Sequence, residues 1–303
     1  MLAKFLIQHA IWTTEEYGVD GWRVDTYKYC DEQFMNTVNA ALEKEFPTIT
    51  IFGEAWCSTP FASAYFVRNN VNFPFKHNLQ GVTEFPIAYG IKDVAMGNAN
   101  ALYTLLAQDQ LYKDPKKNCI FLENHDMNRI LSELKDDVSR LKIATGMLLT
   151  IRGIPQLYYG TEVLMKNMKV PSDAEVRRDF AGGWAEDGLN KFKPEGRSAE
   201  EKEYFNFLRN LANYRLKSSA ISKGKTLQYQ PFDNVYVYFR FDDKQRVMCI
   251  VNPNDKEKEL DMLRYTEGYA GKSEGRDVIS GRNLQLDGKL TIPAKTFLLI
   301  EVQ

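Results

Sequence analysis

Three stretches of this chain, GWRVDTYKY around Asp25, IFGEAW around Glu54 and IFLENHD around Asp126, each place a carboxylate just after a β-rich apolar run. Val24 leads into Asp25; Ile49, Ile51 and Phe52 lead into Glu54; Ile120 and Phe121 lead into Glu123, Asn124, His125 and Asp126. In a (β/α) barrel the ends of successive parallel strands converge on one face, so residues far apart in sequence meet there. The pattern predicts an α/β scaffold that gathers carboxylates at one rim.

The rest of the chain fits that scaffold. Leu2, Phe5, Leu6, His9 and Trp12 recur at helical spacing, and Gly18 closes a helix over about 2–17. Further helices are expected over 31–46, 98–108, 137–150 and 199–217. Strands are expected into Asp25, into Glu54, around 81–85, over 119–123 and over 155–159, five in all. Strands alternating with helices imply a parallel sheet with right-handed crossovers. After Lys217 the period changes to two. Val235, Val237 and Phe239 alternate with Tyr236, Tyr238 and Arg240, then come Val247, Cys249 and Val251 and a last run over 296–302. Asp-Asp, Asn-Pro-Asn and Asp-Gly segments separate these runs, so 222–303 reads as a small antiparallel sandwich and 1–217 as the α/β domain.

Length and charge narrow the partners. A chain of 303 residues with 44% hydrophobic and 13% aromatic content has material for two packed domains. Its net charge of −1, from 39 basic and 40 acidic side chains, favours neither nucleic acid nor an acidic membrane surface. Cys30, Cys57, Cys119 and Cys249 form no CxxC pair and the three histidines have no metal-ligand spacing, so free thiols and no metal or cofactor are expected. No apolar run has the length to cross a bilayer. The opening MLAKFLIQHAIW reads as an amphipathic helix without a small-residue cleavage site, so no signal peptide is assigned, and periplasm and cytoplasm both stay open.

Cleaving a glycosidic bond takes an acid for the leaving oxygen and, with retention, a carboxylate nucleophile about 5 Å away. Arg23 precedes Asp25 by two residues, hence shares its strand face, and a guanidinium there holds the carboxylate ionised for attack. Glu54 lies between Gly53 and Ala55-Trp56, an apolar setting expected to raise its pKa and keep it protonated as the acid. His125 and Asp126 offer a hydrogen-bonding group for sugar hydroxyls and an anion for an oxocarbenium-like transition state. Singly, these are equally a salt-bridged strand end, a neighbour of a helix cap and a capping pair. The repeated placement after apolar strands argues for the joint site. Trp56, Tyr158 and Trp184 are candidate stacking platforms for glucose rings, while Phe61, Phe85, His9 and His77 read as packing or surface residues.

At this point GWRVDTYKY, GEAW and FLENHD resemble three conserved regions of the α-amylase family, glycoside hydrolase family 13. The resemblance implies Asp25 as nucleophile, Glu54 as acid/base and Asp126 as transition-state stabiliser, with Arg23 and His125 in support. Lys28 and Tyr29 fall where members carry a lysine and a histidine that contact sugar beyond the scissile bond, so Tyr29 departs from the commoner histidine. GIPQLYYGTE is similar to the last barrel strand, and RRDFAGGW, from Arg177 to Trp184, resembles the following loop of neopullulanases and cyclomaltodextrinases, with Arg177 a candidate substrate contact.

The family fold is an eight-stranded TIM (β/α)8 barrel with its nucleophile after strand four, so the resemblance implies a partial barrel, strands 4–8, followed by the family's C-terminal sandwich. Strands one to three, with their binding histidine and aspartate and some ligands of the calcium site common in full-length members, are then expected to be absent. An opened barrel exposes unpaired edges, which predicts self-association or pairing with an N-terminal half. The implied function is retaining hydrolysis of α-1,4 bonds in maltooligosaccharides, cyclodextrins or pullulan, with little activity from this chain alone. The alternatives are a non-catalytic glucan-binding or assembly module and a transglycosylase on the same fold.

Overall fold

The computed structural model describes all 303 residues, which divide into two compact units: Met1–Ile87 with Leu105–Ile120, and Ala88–Thr104 with Phe121–Gln303.

The first unit opens on α1 (Leu2–Tyr17), closed by Gly18 in the left-handed conformation. β1 (Gly21–Val24), α2 (Glu32–Glu45), β2 (Thr50–Gly53), α3 (Pro60–Tyr65) and β3 (Gly81–Val82) follow. The three strands pair parallel in the order β1-β2-β3, with Arg23 beside Phe52 and Val24 beside Gly53, and Thr83 adds a parallel bridge to Cys119. Asp31 caps α2 by accepting the Phe34 N–H at 2.7 Å, and Met35 and Leu42, two turns apart on one helical face, enter a core with Ile49, Ile51 and Val82. The helix expected at the start of α1 is present, but its buried face is Ala10, Ile11 and Thr14; Leu2, Phe5 and Trp12 are exposed. Two stripes at helical spacing coexist on α1, and the sheet selects the less bulky one.

The segment expected as a strand over 81–85 is corrected. The β2–β3 ladder ends at Val82 and the last bridge is at Thr83, and Phe85 opens α4 (Phe85–Ala95), whose Pro86 occupies a position where a missing N–H costs nothing. α5 (Asn100–Leu106) and β4 (Cys119–Phe121) follow.

In the second unit, α6 (Ile130–Glu133), α7 (Val138–Thr150), β5 (Ile154–Gln156), α8 (Ala199–Lys217) and α9 (Ser219–Ser222) lead into the C-terminal strands. α8 begins with a capping box, Ser198 and Glu201 satisfying each other's backbone N–H groups. α7 is buried from Ile143 to Thr150, between α8 and the C-terminal sheet. That sheet contains β6 (Lys225–Phe232), β7 (Val235–Phe241) and β8 (Arg246–Asn252). β9 (Lys258–Asp261), α10 (Thr266–Tyr269), β10 (Glu274–Asp277), β11 (Asn283–Gln285), β12 (Lys289–Ile292) and β13 (Thr296–Val302) complete the chain. Six strands run in the order β11-β10-β13-β8-β7-β6, and β12 pairs with β9 as a second sheet. Val235, Val237, Phe239, Met248, Ile250, Leu260, Ile292 and Ile300 form their shared core.

The alternation along β7 does not separate a wet from a dry face. Tyr236, Tyr238 and Arg240 are as buried as the valines between them. Tyr238 shares a 2.6 Å hydrogen bond with Thr150 of α7, and Arg240 donates to the carbonyls of Ile221 and Gly224 at 2.9 Å. The β8–β13 pair meets α7 as well, where Gly146 leaves room for the Phe297 ring; a Cβ there would stand 2.3 Å from it.

Candidate active site

In the first unit, Asp25 and Glu54 each follow the last residue of a strand, β1 and β2, at the same end of adjacent parallel strands. Arg23 lies between them. Its NH1 is 2.8 Å from Asp25 Oδ1 and its NH2 is 2.6 Å from Glu54 Oε1. The backbone locks the arrangement: Glu54 N–H donates to Val24 O at 2.8 Å, and Tyr27 N–H to Glu54 O at 3.0 Å. The Asp25 side chain is 65% exposed and that of Glu54 4%. One carboxylate faces solvent, and the other is enclosed by the turn that follows β1. The shared face of Arg23 and Asp25 expected from their spacing is observed. The apolar setting expected for Glu54 is not, because its two oxygens accept from a guanidinium and from the Thr26 N–H at 3.2 Å.

Around this pair, Lys28 Nζ donates to Trp56 O at 2.7 Å and lies 4.9 Å over the Tyr29 ring. Tyr29 is exposed. Trp56 is partly exposed and packs 4.3 Å, centroid to centroid, from buried Phe85. Phe61 is half-exposed and meets Phe73 edge-on. His77 is buried among Tyr65, Phe66 and Phe75, and His9 is on the exposed side of α1.

In the second unit, the loop after β4 carries His125 and Asp126. Asn124 Oδ1 accepts the Asp126 N–H at 2.9 Å, and His125 Nε2 is 3.1 Å from Asp126 Oδ2. Arg177 NH2 is 2.6 Å from Asp126 Oδ1, and its Nε donates to His125 O at 2.8 Å. Lys169 donates to Asp126 O at 2.9 Å and pairs with Asp173, which holds the Asp173 carboxyl below the usual range. Arg177, expected as a substrate contact, thus has its guanidinium on the proposed stabiliser. Trp184 stands out from the following loop, 64% exposed, with its N–H and that of Gly182 both donating to Asp187. One face of the Tyr158 ring is covered by Arg129, 4.1 Å from its centroid.

Sequence reading did not single out Arg129, Lys169 or Asp173, and it gave Glu123 no role beyond the strand end. Their partners lie 30 or more residues away, as with Arg129 and Tyr159, or in a loop with no periodicity. Burial pushes the Glu123 carboxyl up, against hydrogen bonds from Thr161 and the nearby Arg129. All four cysteines are unpaired thiols. No three His, Cys, Asp or Glu side chains converge into a group that could hold a metal ion. No helix is long and apolar enough to cross a membrane.

Residues 6–203 match the family model described as the α-amylase catalytic domain, and residues 226–301 match the cyclomaltodextrinase C-terminal domain. The chain is 24% identical over 290 residues to a cyclomaltodextrinase of Thermoanaerobacter pseudethanolicus, covering 95% of this chain and 45% of that protein. It is 25% identical over 280 residues to a cyclomaltodextrin glucanotransferase of Geobacillus stearothermophilus, covering 88% and 36%. The chain therefore spans less than half the length of these curated relatives. In fold it is similar to an α-amylase from Geobacillus thermoleovorans crystallised with acarbose, with a TM-score of 0.80 at 20% identity over 99% of this chain and 64% of that one.

Proposed function

Since this chain belongs to the α-amylase family of glycoside hydrolases, we propose that it carries the acid, the nucleophile and the stabiliser of an α-glucan hydrolase of the cyclomaltodextrinase type. The bonds cut are α-1,4-glucosidic, in maltooligosaccharides, cyclodextrins or pullulan. The observation that carries the reading is the Arg23 bridge. One guanidinium touches both Asp25 and Glu54, so the two carboxyl groups stand within the reach of a single side chain, as an acid and a nucleophile acting on one bond require.

In this reading Asp25 attacks the anomeric carbon while Glu54 gives its proton to the departing glycosidic oxygen. A covalent glycosyl-enzyme forms, and Glu54 then takes a proton from the water that releases the sugar. Asp126, in contact with His125 and Arg177, has the role of the anion that stabilises positive charge developing on the ring. Lys28, Tyr29, Trp56 and Trp184 supply the ammonium and aromatic surfaces for neighbouring sugars.

The five short strands β1 to β5 are read as barrel strands 4–8, with residues 1–217 as the catalytic portion and 222–303 as the sandwich. β1 at the edge of its sheet and the exposed row Leu2, Phe5 and Trp12 support self-association or pairing with an N-terminal half, and little turnover from the isolated chain. A second reading, transfer to a sugar acceptor instead of water, draws support from the glucanotransferase among the relatives. The test is release of reducing ends from maltoheptaose and β-cyclodextrin by the purified chain, alone and with the N-terminal half of a cyclomaltodextrinase, with Glu54→Gln in parallel. Activity lost in the variant supports the reading. Activity that survives Glu54→Gln, or absent even after complementation, removes it.

A further inference from the structure

The loop that carries His125 and Asp126 is closed at its base by an ion pair from which water is excluded. Glu123 precedes the loop and Arg129 ends it; their side chains are 2% and 1% exposed, with Arg129 NH1 3.6 Å from Glu123 Oε1. Glu123 also accepts from the Thr161 hydroxyl and from the Ile130 N–H. Arg129 NH1 donates to Tyr159 O at 2.6 Å, and its guanidinium packs 4.1 Å and 4.9 Å from the Tyr158 and Tyr159 ring centroids. The Arg129 N–H donates to Asn167 O at 2.9 Å, and Arg129 NH2 has no hydrogen-bond partner.

Such a pair is a poor source of stability. Removing two charges from water is costly, and apolar residues of the same volume often serve as well or better. An incompletely satisfied guanidinium makes the case weaker still. What the pair provides is one geometry: five residues, Asn124 to Asn128, leave and return to fixed points, and both points are tied to the loop after β5 through Thr161 and Tyr159. That same β5 loop leads on to Lys169 and Arg177, which hold Asp126 from the other side.

We propose that Glu123 and Arg129 are positioning residues for Asp126, forming with Thr161 a buried clamp that fixes the stabilising carboxylate relative to the Tyr158–Thr161 turn. This rests on the reading of Asp126 as transition-state stabiliser. The clamp touches no substrate; it acts through the loop. A misplacement of about 1 Å at a reacting group can cost on the order of 10²-fold in rate, so a loosened loop lowers kcat while leaving KM little changed.

The test uses Thr161→Val, which removes one hydrogen bond to Glu123 without unbalancing charge, and Thr161→Ser, which restores the hydroxyl. Glu123→Gln alone leaves Arg129 uncompensated and can fail to fold, so the paired change Glu123→Gln/Arg129→Met is its replacement. Amide hydrogen exchange of the purified chain is the first readout and needs no turnover. Faster exchange at Asp126 and Arg129, with α8 and β8 unchanged and Thr161→Ser behaving as the parent, is the expected result. Uniform acceleration across the unit, or none in the loop, overturns the clamp. On the complemented enzyme, Thr161→Val is expected to lose kcat with KM held and Thr161→Ser to recover it; unchanged kcat also overturns it. Full turnover in Asp126→Asn would defeat the hydrolase reading instead, and would leave the exchange result standing.

Discussion

Arg23 NH2 lies 2.6 Å from Glu54 Oε1, across the boundary between two parallel strands, while the other terminal nitrogen of the same guanidinium is on Asp25. A planar fork can contact two carboxylates at once; an ammonium is a single point charge and cannot hold both in the same geometry. Arg23→Lys is therefore expected to lose roughly 10²-fold in kcat, on the scale of removing one preorganised electrostatic contact. Glu54→Gln is expected to fall by about 10²- to 10⁴-fold, the usual contribution of a general acid. Reducing-end release from maltoheptaose by the complemented enzyme measures both. An Arg23→Lys variant with parental kcat would dismiss the bridge as a device for the reaction.

Gly146 is a packing device. Because a Cβ there would stand 2.3 Å from the Phe297 ring, in a region where α7 is buried on all sides, Gly146→Ala must displace the ring or the strand that bears it. Overpacking of this kind costs typically about 1–3 kcal/mol, against the small gain Ala brings to a helix. Urea denaturation is expected to show a lowered midpoint, and Phe297→Leu in the same chain to recover part of it. A midpoint at or above the parent's would mean that the sheet yields at this point without strain.

Much of this was legible in the sequence because the responsible signals are local. Asp31, Asp137 and Ser198 announce helix starts, the period-two run from Val235 announces β7, and Arg23 two residues before Asp25 announces a shared strand face. What was missed depends on groups distant along the chain. The helix from Phe85 was read as the tail of a strand because FPI is apolar and β-like, and only the ending of the β2–β3 pairing at Val82 frees it to turn. The exposed side of α1 carries larger apolar residues than its buried side, so which face enters the core is decided by what packs against the helix. Glu54 looked apolar from its chain neighbours, and its actual partner is 31 positions earlier. Arg177 and Asp126, 51 positions apart, had no spacing to announce them.

Asp137 gives a stability effect with a defined sign. It caps α7 through the Ser139 and Arg140 N–H groups and pairs with Lys295 at 2.8 Å. These partners outweigh partial burial and hold its carboxyl below the ordinary value of 3.8. The native state thus favours the ionised form: the contribution is full above 3.8 and is lost as pH falls through the lower folded value. Asparagine keeps the cap and removes the charge. Urea midpoints of the parent and Asp137→Asn, taken from pH 6 down to about pH 2.5, are expected to differ most at the upper end and to converge as the carboxyl protonates. A gap independent of pH would assign the effect to the cap alone.

His77 carries the same sign for a different reason. Its ring is enclosed by Tyr65, Phe66 and Phe75, with centroids 4.9, 5.6 and 4.8 Å away, and its one charged neighbour is Glu32, 3.4 Å from Nε2. Burial lowers the imidazole pKa below 6.5, and Glu32 offsets only part of that. The folded chain therefore prefers neutral His77, and the unfolded chain binds its proton first as pH falls. Stability is at its full value above 6.5, drops as pH descends towards the folded value, and levels off below it. Replacing Glu32 with Gln removes the one group that favours the charged ring, so the drop should steepen in Glu32→Gln; His77→Phe should abolish this component. Urea midpoints between pH 8 and pH 5 for the three chains isolate the His77 contribution. If His77→Phe keeps the parent's slope over that range, the enclosed imidazole is not what the pH acts on.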